Sequence, residues 1–190
     1  MATLAKVQAR MSRFAQRALL ILHVADPNQS ASIKARLDAM GLVVSEEESE
    51  PFPGTNADIF LVENNESLGL FYRLAPVSFI GGTLTNSGGN DPFEAAALGS
   101  AILHGPSIRR HQNAFDRLSD ANASKCVYDS ESCFKALISA TAPDEAARMA
   151  HAAWEVSSSG AGVTDRVLEL MAEYLDFELM QFEVDEDEAA

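Results

Sequence analysis

The sequence predicts an α/β protein with a Rossmann-like parallel sheet that carries helices on both faces. Short apolar runs, such as residues 18–22 and 59–62, alternate along the chain with segments in which apolar residues recur at helical spacing. This alternation favours parallel strands joined by crossover helices, and continuous apolar runs favour strands buried on both faces. The 190 residues, 47% of them hydrophobic, suit the core of one ordinary domain.

The first half of the chain contains two helical and three strand patterns. Apolar residues at helical spacing with lysine and arginine between them predict an amphipathic helix over residues 2–17, with a basic outer side. The next predicted elements are a strand at 18–22, a helix at 30–40, a strand at 42–44 and a strand at 58–62. An acidic loop containing Pro51, Pro53 and Gly54 separates the last two strands.

The second half continues the alternation and ends in helices. Its predicted elements are a helix at 67–74, strands at 77–80 and 101–104, a helix at 110–119, a strand at 125–128, and helices at 130–140, 144–157 and 163–182. We therefore predict a single Rossmann-like domain over residues 1–182 and an acidic disordered tail over residues 183–190.

A glycine-rich motif follows the predicted strand at 77–80. Gly88 and Gly89 let the backbone approach a ligand closely, and Pro92 suits the first turn of a helix whose free N–H groups bind anions. Glu94 lies in that first turn, where its carboxylate accepts hydrogen bonds from vicinal sugar hydroxyls. These residues predict a phosphate-bearing nucleotide as the ligand. An equally simple interpretation is a glycine-rich turn in which Glu94 caps its own helix.

Charge and cysteine content narrow the functional class. The formal net charge is -14, so nucleic acid is excluded as a partner, because its phosphates must be neutralised by lysine and arginine. The acidic runs at 46–48 and 183–188 are interpreted as a solvated loop and a tail.

No signal peptide or membrane span is visible in the sequence. Cys126 and Cys133 are predicted to be buried small side chains in a reduced cytoplasmic protein. The four histidines lack metal-ligand spacing, so no metal is predicted.

Several motifs together resemble those of the lipid A 3-deoxy-D-manno-octulosonic acid (Kdo) transferases. The residues that carry the resemblance are the segment LGLFYRLAPV at 68–77, then Gly81-Gly82-Thr83-Leu84, Gly88-Gly89, Pro92, Glu94, Leu98-Gly99 and Gly105-Pro106. The resemblance runs from about residue 18 to about residue 174. It corresponds to the carboxyl-terminal, donor-binding half of a two-domain glycosyltransferase of the GT-B type.

The resemblance implies transfer of Kdo from CMP-Kdo to the lipid A precursor in lipopolysaccharide synthesis, at the cytoplasmic face of the inner membrane and without a metal cofactor. CMP-Kdo or CMP is then the expected ligand. The residues expected at the nucleotide are Gly82, Thr83, Gly88, Gly89, Asn90, Asp91 and Glu94, with Glu94 at the ribose. In the family, a membrane anchor, an acceptor-binding domain with the catalytic base, and the first strand of the donor domain come before the region matched here. We therefore expect no catalysis by this chain alone.

The chain departs from the family pattern in its charged residues. Ala25 and Asp26 replace a basic pair that follows the first matched strand, and residues 63–67 lack a glutamate of the family motif. Arg109 and Arg110 are expected to supply positive charge to an anion, although an exposed helix start explains them equally well. The expected protein partner is a separately encoded amino-terminal half. The alternative is a non-catalytic homodimeric or regulatory protein. Its interface would consist of the amino-terminal helix and the surface that corresponds to the family's substrate cleft.

Two further expectations concern catalysis and the sheet. In a third interpretation, the chain is an active enzyme of another nucleotide-sugar class with Asp26, Asp91 or Glu94 as acid or base. His104 and His111 are expected to have packed or exposed structural roles. Without the first strand of the family domain, the remaining strands must close the gap, recruit a partner's strand or leave backbone groups unpaired.

Overall fold

The computed structural model describes residues 2–15, 17–47, 49, 52–159 and 170–171, and within them every strand pairing is parallel. The strands are β1 (Leu20–His23), β2 (Val44–Glu46), β3 (Ile59–Val62), β4 (Val77–Phe79), β5 (Ala101–His104) and β6 (Ser124–Cys126). They form two three-stranded sheets in the orders β1-β3-β2 and β4-β5-β6. The central strands β3 and β5 are buried throughout, which explains their continuous apolar sequences.

Helices connect the strands. The α-helices are α1 (Ala2–Phe14), α2 (Ser30–Asp38), α3 (Leu68–Leu74), α4 (Phe93–Ala97), α5 (Gln112–Asp120), α6 (Ser130–Ala140) and α7 (Pro143–Ser158). Short 3-10 helices at Pro27–Gln29 and Arg109–His111 precede α2 and α5. No described helix has the length and apolar content needed to cross a bilayer.

Both faces of the first sheet are covered. On one face, Ile59 and Leu61 of β3 share a core cluster with Ala5 of α1 and Leu37 of α2. On the other face, the Phe60 ring packs edge-on against Phe71 of α3, with ring centroids 6.0 Å apart. The alternation of β3 side chains between these two faces follows from the two-residue period of a strand.

The second sheet is covered in the same way. Ile102 of β5 lies in a core cluster with Phe115 and Leu118 of α5. Its neighbour Leu103 points to the opposite face and joins a cluster with Ala140 of α6 and Met149 of α7. The prediction of an α/β fold with a parallel arrangement and helices on both faces is confirmed.

Local differences from the sequence prediction have physical causes. The strand expected at 42–44 begins at Val44, because the Val43 N–H donates to Asp58 Oδ2 (2.9 Å) and the Leu42 N–H turns back to Leu37 O (3.3 Å). Cys126 is exposed rather than buried, because it ends β6, the outer strand of its sheet, whereas Cys133 is buried as predicted. The amino-terminal helix ends at Phe14 instead of residue 17. Except for residues 170 and 171, the helix predicted at 163–182, and the whole acidic tail at 183–190, lie outside the described residues.

Candidate functional site

The glycine loop begins where β4 ends and is fixed by Thr83. The Thr83 side chain is fully buried, and its hydroxyl donates to Ile80 O (2.7 Å) while accepting the Gly105 N–H (2.7 Å). The Thr83 carbonyl also accepts the Ser107 N–H (2.9 Å). Thr83 therefore joins the loop to the segment that follows β5. Its hydroxyl could reach a ligand only if these two hydrogen bonds were broken.

The paired glycines of the loop pack against that same segment. Gly88 has a φ of +85°, and a Cβ added there would lie 2.7 Å from Cγ of Arg110. The Arg110 N–H donates to Gly88 O (3.1 Å). Gly89 has a φ of +81°, and its added Cβ would lie 2.9 Å from Cγ2 of Thr83. Both glycines are therefore required by the fold of the loop, whether or not a ligand binds.

The helix that follows the loop is shorter and better capped than its sequence suggests. Helix α4 has only 5 residues, and the Phe93 N–H at its start donates to Asp91 Oδ1 (2.9 Å). This N–H is therefore not available to an anion, contrary to the expectation of free N–H groups at the helix start. The other carboxylate oxygen of Asp91 lies 4.0 Å from His111 Nδ1. Asp91 thus links the start of α4 to the 3-10 helix after β5.

A cleft of about 460 Å³ opens beside Asp91. It is lined by Asp91, Phe93, Arg109, Arg110, His111, Gln112, Asn113 and Ala114. Arg109 and Arg110 are exposed, and neither forms an ion pair with a carboxylate of the described part of the chain. Exposed guanidinium groups can bind a phosphate in bidentate fashion. The cleft is thus a cationic site on an acidic protein.

Sequence reasoning identified only part of this cleft. It selected Asp91, Arg109 and Arg110, but it placed His111 in a structural role and did not consider Phe93. The position of His111 directly after Arg109 and Arg110, downstream of the Gly105-Pro106 turn, could have predicted that it lines the same cleft. Asn90 is exposed beside the cleft, and its N–H donates to Gly81 O (3.1 Å).

Glu94 lies on the exposed first turn of α4 but does not line the cleft. It faces Tyr72 of α3, whose pKa is raised first by burial and second by the negative charge of Glu94. The structure therefore places Glu94 near α3 and outside the lining of the cleft. Its role as a ribose contact stays a prediction.

The carboxyl ends of the first sheet carry negative charge. The Asp26 carboxylate accepts hydrogen bonds from Gln29 Nε2 (2.9 Å), Asn28 Nδ2 (3.0 Å) and the Asn28 N–H (3.1 Å), and these bonds hold the pKa of Asp26 below its usual value. Asp26 is therefore ionised at neutral pH and carries no proton to donate. A second cleft, of about 250 Å³, is lined by Glu46, Glu47, Leu61, Glu63 and Asn64. Its carboxylates would repel a phosphate.

His104 is packed in the core. It is 5% exposed, its Nδ1–H donates to Gly105 O (2.8 Å), and its ring centroid lies 4.7 Å from that of Phe115. Burial lowers the pKa of His104, so the ring is neutral at pH 7. Among residues 2–15, 17–47, 49, 52–159 and 170–171, no group of three or more His, Cys, Asp or Glu side chains is placed to hold a metal ion.

Comparisons with known proteins agree with the resemblance that the motifs indicated. No protein-family model matches the chain. Over 161 residues it is 26% identical to 3-deoxy-D-manno-octulosonic acid transferase of Bordetella pertussis, and the match covers 84% of this chain but 38% of that protein. The corresponding enzyme of Haemophilus influenzae is 24% identical over 126 residues, which cover 65% of this chain and 30% of that enzyme. The chain therefore spans less than half the length of these relatives, and its resemblance to Kdo transferases is confirmed.

A solved structure has the same fold. The chain superimposes on the C-terminal CMP-Kdo binding domain of WaaA from Acinetobacter baumannii with a TM-score of 0.68 and 16% sequence identity. The superposition covers 82% of this chain and 98% of that domain. The Rossmann-like α/β fold class expected from the sequence is therefore confirmed, because the solved domain shares it over almost its whole length.

Proposed function

We propose that this chain is the donor-nucleotide-binding part of a Kdo transferase-like glycosyltransferase, and that it binds CMP-Kdo or CMP in the cleft beside the glycine loop. The observation that carries the proposal is that Arg109 and Arg110 line one open cleft of about 460 Å³ together with Asp91. The relatives are named as Kdo transferases, and the solved domain with this fold is named as a CMP-Kdo binding domain.

In this proposal the phosphate of the nucleotide lies against the guanidinium groups of Arg109 and Arg110. Because the stem of Arg110 packs over Gly88, the glycine loop fixes where that guanidinium can reach. The ribose hydroxyls face Glu94 on the first turn of α4. The nucleotide base then occupies the part of the cleft formed by Phe93, Gln112 and Asn113.

Transfer itself requires more than the described residues provide. A glycosyltransferase with two halves reacts in the cleft between them, and holding both substrates there supplies a large part of the rate. The hydrogen bonds of Asp26 lower its pKa and so disfavour the protonated form that a general acid needs, and Asp91 caps α4 through one carboxylate oxygen. We propose that the chain binds the donor and acts with an acceptor-binding half, in the cytoplasm at the inner membrane.

Nucleotide binding can be tested by calorimetry and thermal unfolding with CMP, using cytidine as the ligand that lacks the phosphate. CMP at 100 times its Kd is expected to stabilise the fold by about 2.7 kcal/mol, and cytidine is expected to have little effect. Arg109→Gln and Arg110→Gln keep the aliphatic stems but remove the charge, so each should weaken CMP binding about tenfold or more. Arg36→Gln, an exposed arginine on α2, is the matched control and should bind like the wild type.

The proposed contact between Glu94 and the ribose is tested separately in the same experiment. If Glu94 accepts a bond from the 2′-hydroxyl, the wild type should prefer CMP to 2′-deoxy-CMP, and Glu94→Ala should bind both equally. Equal binding of the two nucleotides by the wild type would remove Glu94 from the site. Absence of any CMP effect on folded protein would overturn the proposed function.

The homodimeric alternative has less support from the structure. Three apolar residues of α1, Ala5, Val7 and Met11, are buried within the chain's own core. Arg10, on the basic side of the helix, pairs with Glu131 and lies 3.8 Å from the centroid of the Phe134 ring. The large apolar side chain that α1 leaves exposed is Phe14, at its end. Light scattering distinguishes the proposed function from the homodimeric alternative, because only the alternative requires a dimer.

A further inference from the structure

His111 is a titratable side chain of the cleft to which nucleotide binding has so far assigned no role. It ends the 3-10 helix Arg109–His111 directly before α5, and its N–H donates to Ile108 O (3.0 Å). Its side chain is 32% exposed and lines the same cleft as Arg109 and Arg110. The imidazole ring is therefore accessible to a ligand that occupies this cleft.

A carboxylate stands beside the ring. Asp91 Oδ2 lies 4.0 Å from His111 Nδ1, which is too long for a hydrogen bond but within the range of an ion pair when the ring is charged. The other oxygen, Asp91 Oδ1, accepts the Phe93 N–H (2.9 Å). The start of α4 thus holds the Asp91 carboxylate with its second oxygen towards His111.

The segments that carry the two side chains are joined by backbone hydrogen bonds. The Ser107 N–H donates to Thr83 O (2.9 Å), and the Arg110 N–H donates to Gly88 O (3.1 Å). Residues 107–110 are therefore tied to the glycine loop, which also carries Asp91. The separation of the imidazole and the carboxylate is set by the fold of this loop.

Three charged side chains face His111 from its own helix and from the glycine loop. Arg109 and Arg110 precede it on the 3-10 helix, and Asp91 is the one charged residue of residues 81–92. Together the two arginines and the aspartate give the lining of the cleft a net charge of +1. A proton on His111 raises that charge to +2.

The other neighbouring helices add no charge to the lining. The residues of the first turn of α5 that line the cleft, Gln112, Asn113 and Ala114, are uncharged. The charged residues of α5 come later in that helix and do not line the cleft; they are Asp116, Arg117 and Asp120. Glu94, the acidic residue of α4, also lies outside the lining.

The charge on an imidazole and the binding of an anion are coupled. Histidine ordinarily changes its charge between pH 5 and 8, whereas arginine stays charged throughout. A nearby carboxylate favours the charged imidazole, adjacent guanidinium groups oppose it, and a bound phosphate favours it. A phosphate in this cleft therefore binds more tightly to the protein in which His111 is protonated.

We propose that His111 is a third anion-binding residue of the cleft, which in its protonated form contacts the nucleotide phosphate beside Arg109 and Arg110, and that Asp91 is the positioning residue that stabilises this form. The assignment rests on the proposed function and deepens it, because it makes the affinity of the site for a nucleotide phosphate depend on pH. The affinity rises as the pH falls, since the protonated ring carries the added positive charge.

The test is calorimetry on the 190-residue chain with the methyl ester of CMP, cytidine 5′-methylphosphate, at about pH 8 and about pH 5.5. CMP itself is unsuitable, because a phosphate monoester takes up a proton at about pH 6, whereas the methyl ester lacks that second ionisation. The wild type is expected to bind the ester about threefold or more tightly at the lower pH.

A matched pair of histidine variants identifies the titrating group. His111→Gln keeps a polar side chain but cannot gain a positive charge, so its affinity should be the same at both pH values. His151→Gln is the control, because His151 on α7 also lies beside a carboxylate, that of Glu155 (3.5 Å), but does not line the cleft. It should keep the pH dependence of the wild type.

The role of Asp91 has its own readout. Asp91→Asn removes the charge but keeps a side-chain oxygen that accepts the Phe93 N–H, so the start of α4 is preserved. Without the carboxylate the charged imidazole is less favoured, and the rise in affinity should therefore move to lower pH. A purely structural Asp91 would leave the position of the rise unchanged.

The outcomes separate this assignment from the proposed function. Binding of the ester with equal affinity at both pH values, or a pH dependence that persists in His111→Gln, would overturn the role of His111 and leave the proposed function intact. Absence of binding at either pH by folded wild-type protein would overturn the proposed function and this assignment together.

Discussion

At the scale of single residues, Thr83 shows how a motif residue can be essential without touching a ligand. Thr83 lies in a segment that resembles a family motif, and this resemblance suggested that it lies near the phosphate of a nucleotide. Its hydroxyl, however, is hydrogen-bonded to Ile80 O and the Gly105 N–H. Gly105 must lack a side chain for the same reason, since an added Cβ would lie 2.3 Å from Thr83 O. The glycine loop is therefore held in place by one buried side chain and by the turn after β5.

Replacing this hydroxyl should cost stability. Thr83→Val keeps the shape of the side chain but leaves the Gly105 N–H and Ile80 O without their partner, and we expect a loss of about 1–3 kcal/mol in the free energy of unfolding. Urea denaturation measures it. Thr85→Val is the matched control on the exposed part of the loop and should change the free energy of unfolding by less than about 0.5 kcal/mol. Equal losses in the two variants would refute a special role for Thr83.

At the scale of elements, Glu145 joins β6 to α7. Its carboxylate accepts hydrogen bonds from Arg148 Nε (2.9 Å) and Arg148 Nη2 (3.0 Å) on the same helix, and from Lys125 Nζ (2.8 Å) on β6. The Arg148 and Lys125 bonds, in that order, lower the pKa of Glu145 from 4.5 to about 2. The carboxylate thus connects the outer strand of the second sheet to the helix that packs against the face of that sheet.

This shift predicts a pH dependence of stability with a defined sign. Because the folded pKa of Glu145 is below its unfolded value, the stabilisation is complete above about pH 4.5 and is lost as the pH falls towards 2. Glu145→Gln should therefore have a lower urea midpoint than the wild type at pH 7, with the difference shrinking between pH 4.5 and 2.

The control for this measurement is Glu66→Gln, an exposed carboxylate outside the β6–α7 junction. Its urea midpoint should follow that of the wild type at every pH. Asp129 and Glu131 also have lowered pKa values, but they are present in all three proteins and cancel from the comparison. A constant difference between Glu145→Gln and the wild type across this range would contradict the assignment.

At the scale of the whole molecule, charge is divided between the two sheets. The carboxyl ends of the first sheet carry Asp26, Glu46, Glu47 and Glu63, whereas those of the second carry the Arg109-Arg110 pair. An anionic ligand is therefore favoured beside the second sheet and disfavoured beside the first. This asymmetry favours nucleotide binding at the carboxyl ends of the second sheet's strands.

The proposed function predicts that the 190 residues bind CMP-Kdo without turning it over. Incubated with CMP-Kdo and a lipid A precursor, they are expected to release CMP no faster than buffer does, because they correspond to 38% of the Bordetella pertussis relative and a donor-binding part by itself does not position both substrates. Chromatographic quantification of CMP measures this. Binding of CMP-Kdo by calorimetry under the same conditions is the required positive control, and CMP release above the buffer rate would show that the chain is catalytic by itself.

Sequence patterns predicted most of the strands and helices within a few residues. The strand at Ala101–His104 and the helix at Ser130–Ala140 were predicted at their observed bounds, since a continuous apolar run and an Asp129 N-cap mark them locally. The start of β2 was displaced, because Val43 is held by the side chain of Asp58, a residue 15 positions away. The spacing of apolar residues around Val43 does not reveal such a contact, so the start of β2 could not be predicted from it.

By itself, the sequence determined the parallel α/β fold, the glycine loop and the likeness to Kdo transferases, because apolar periodicity, glycine positions and motif spacing are local properties of the chain. Only the tertiary structure decided that Thr83 faces inward, and that Arg109, Arg110 and His111 line one cleft with Asp91. These features arise where segments distant in sequence meet, and burial and hydrogen bonding between such segments are set by packing of the folded chain.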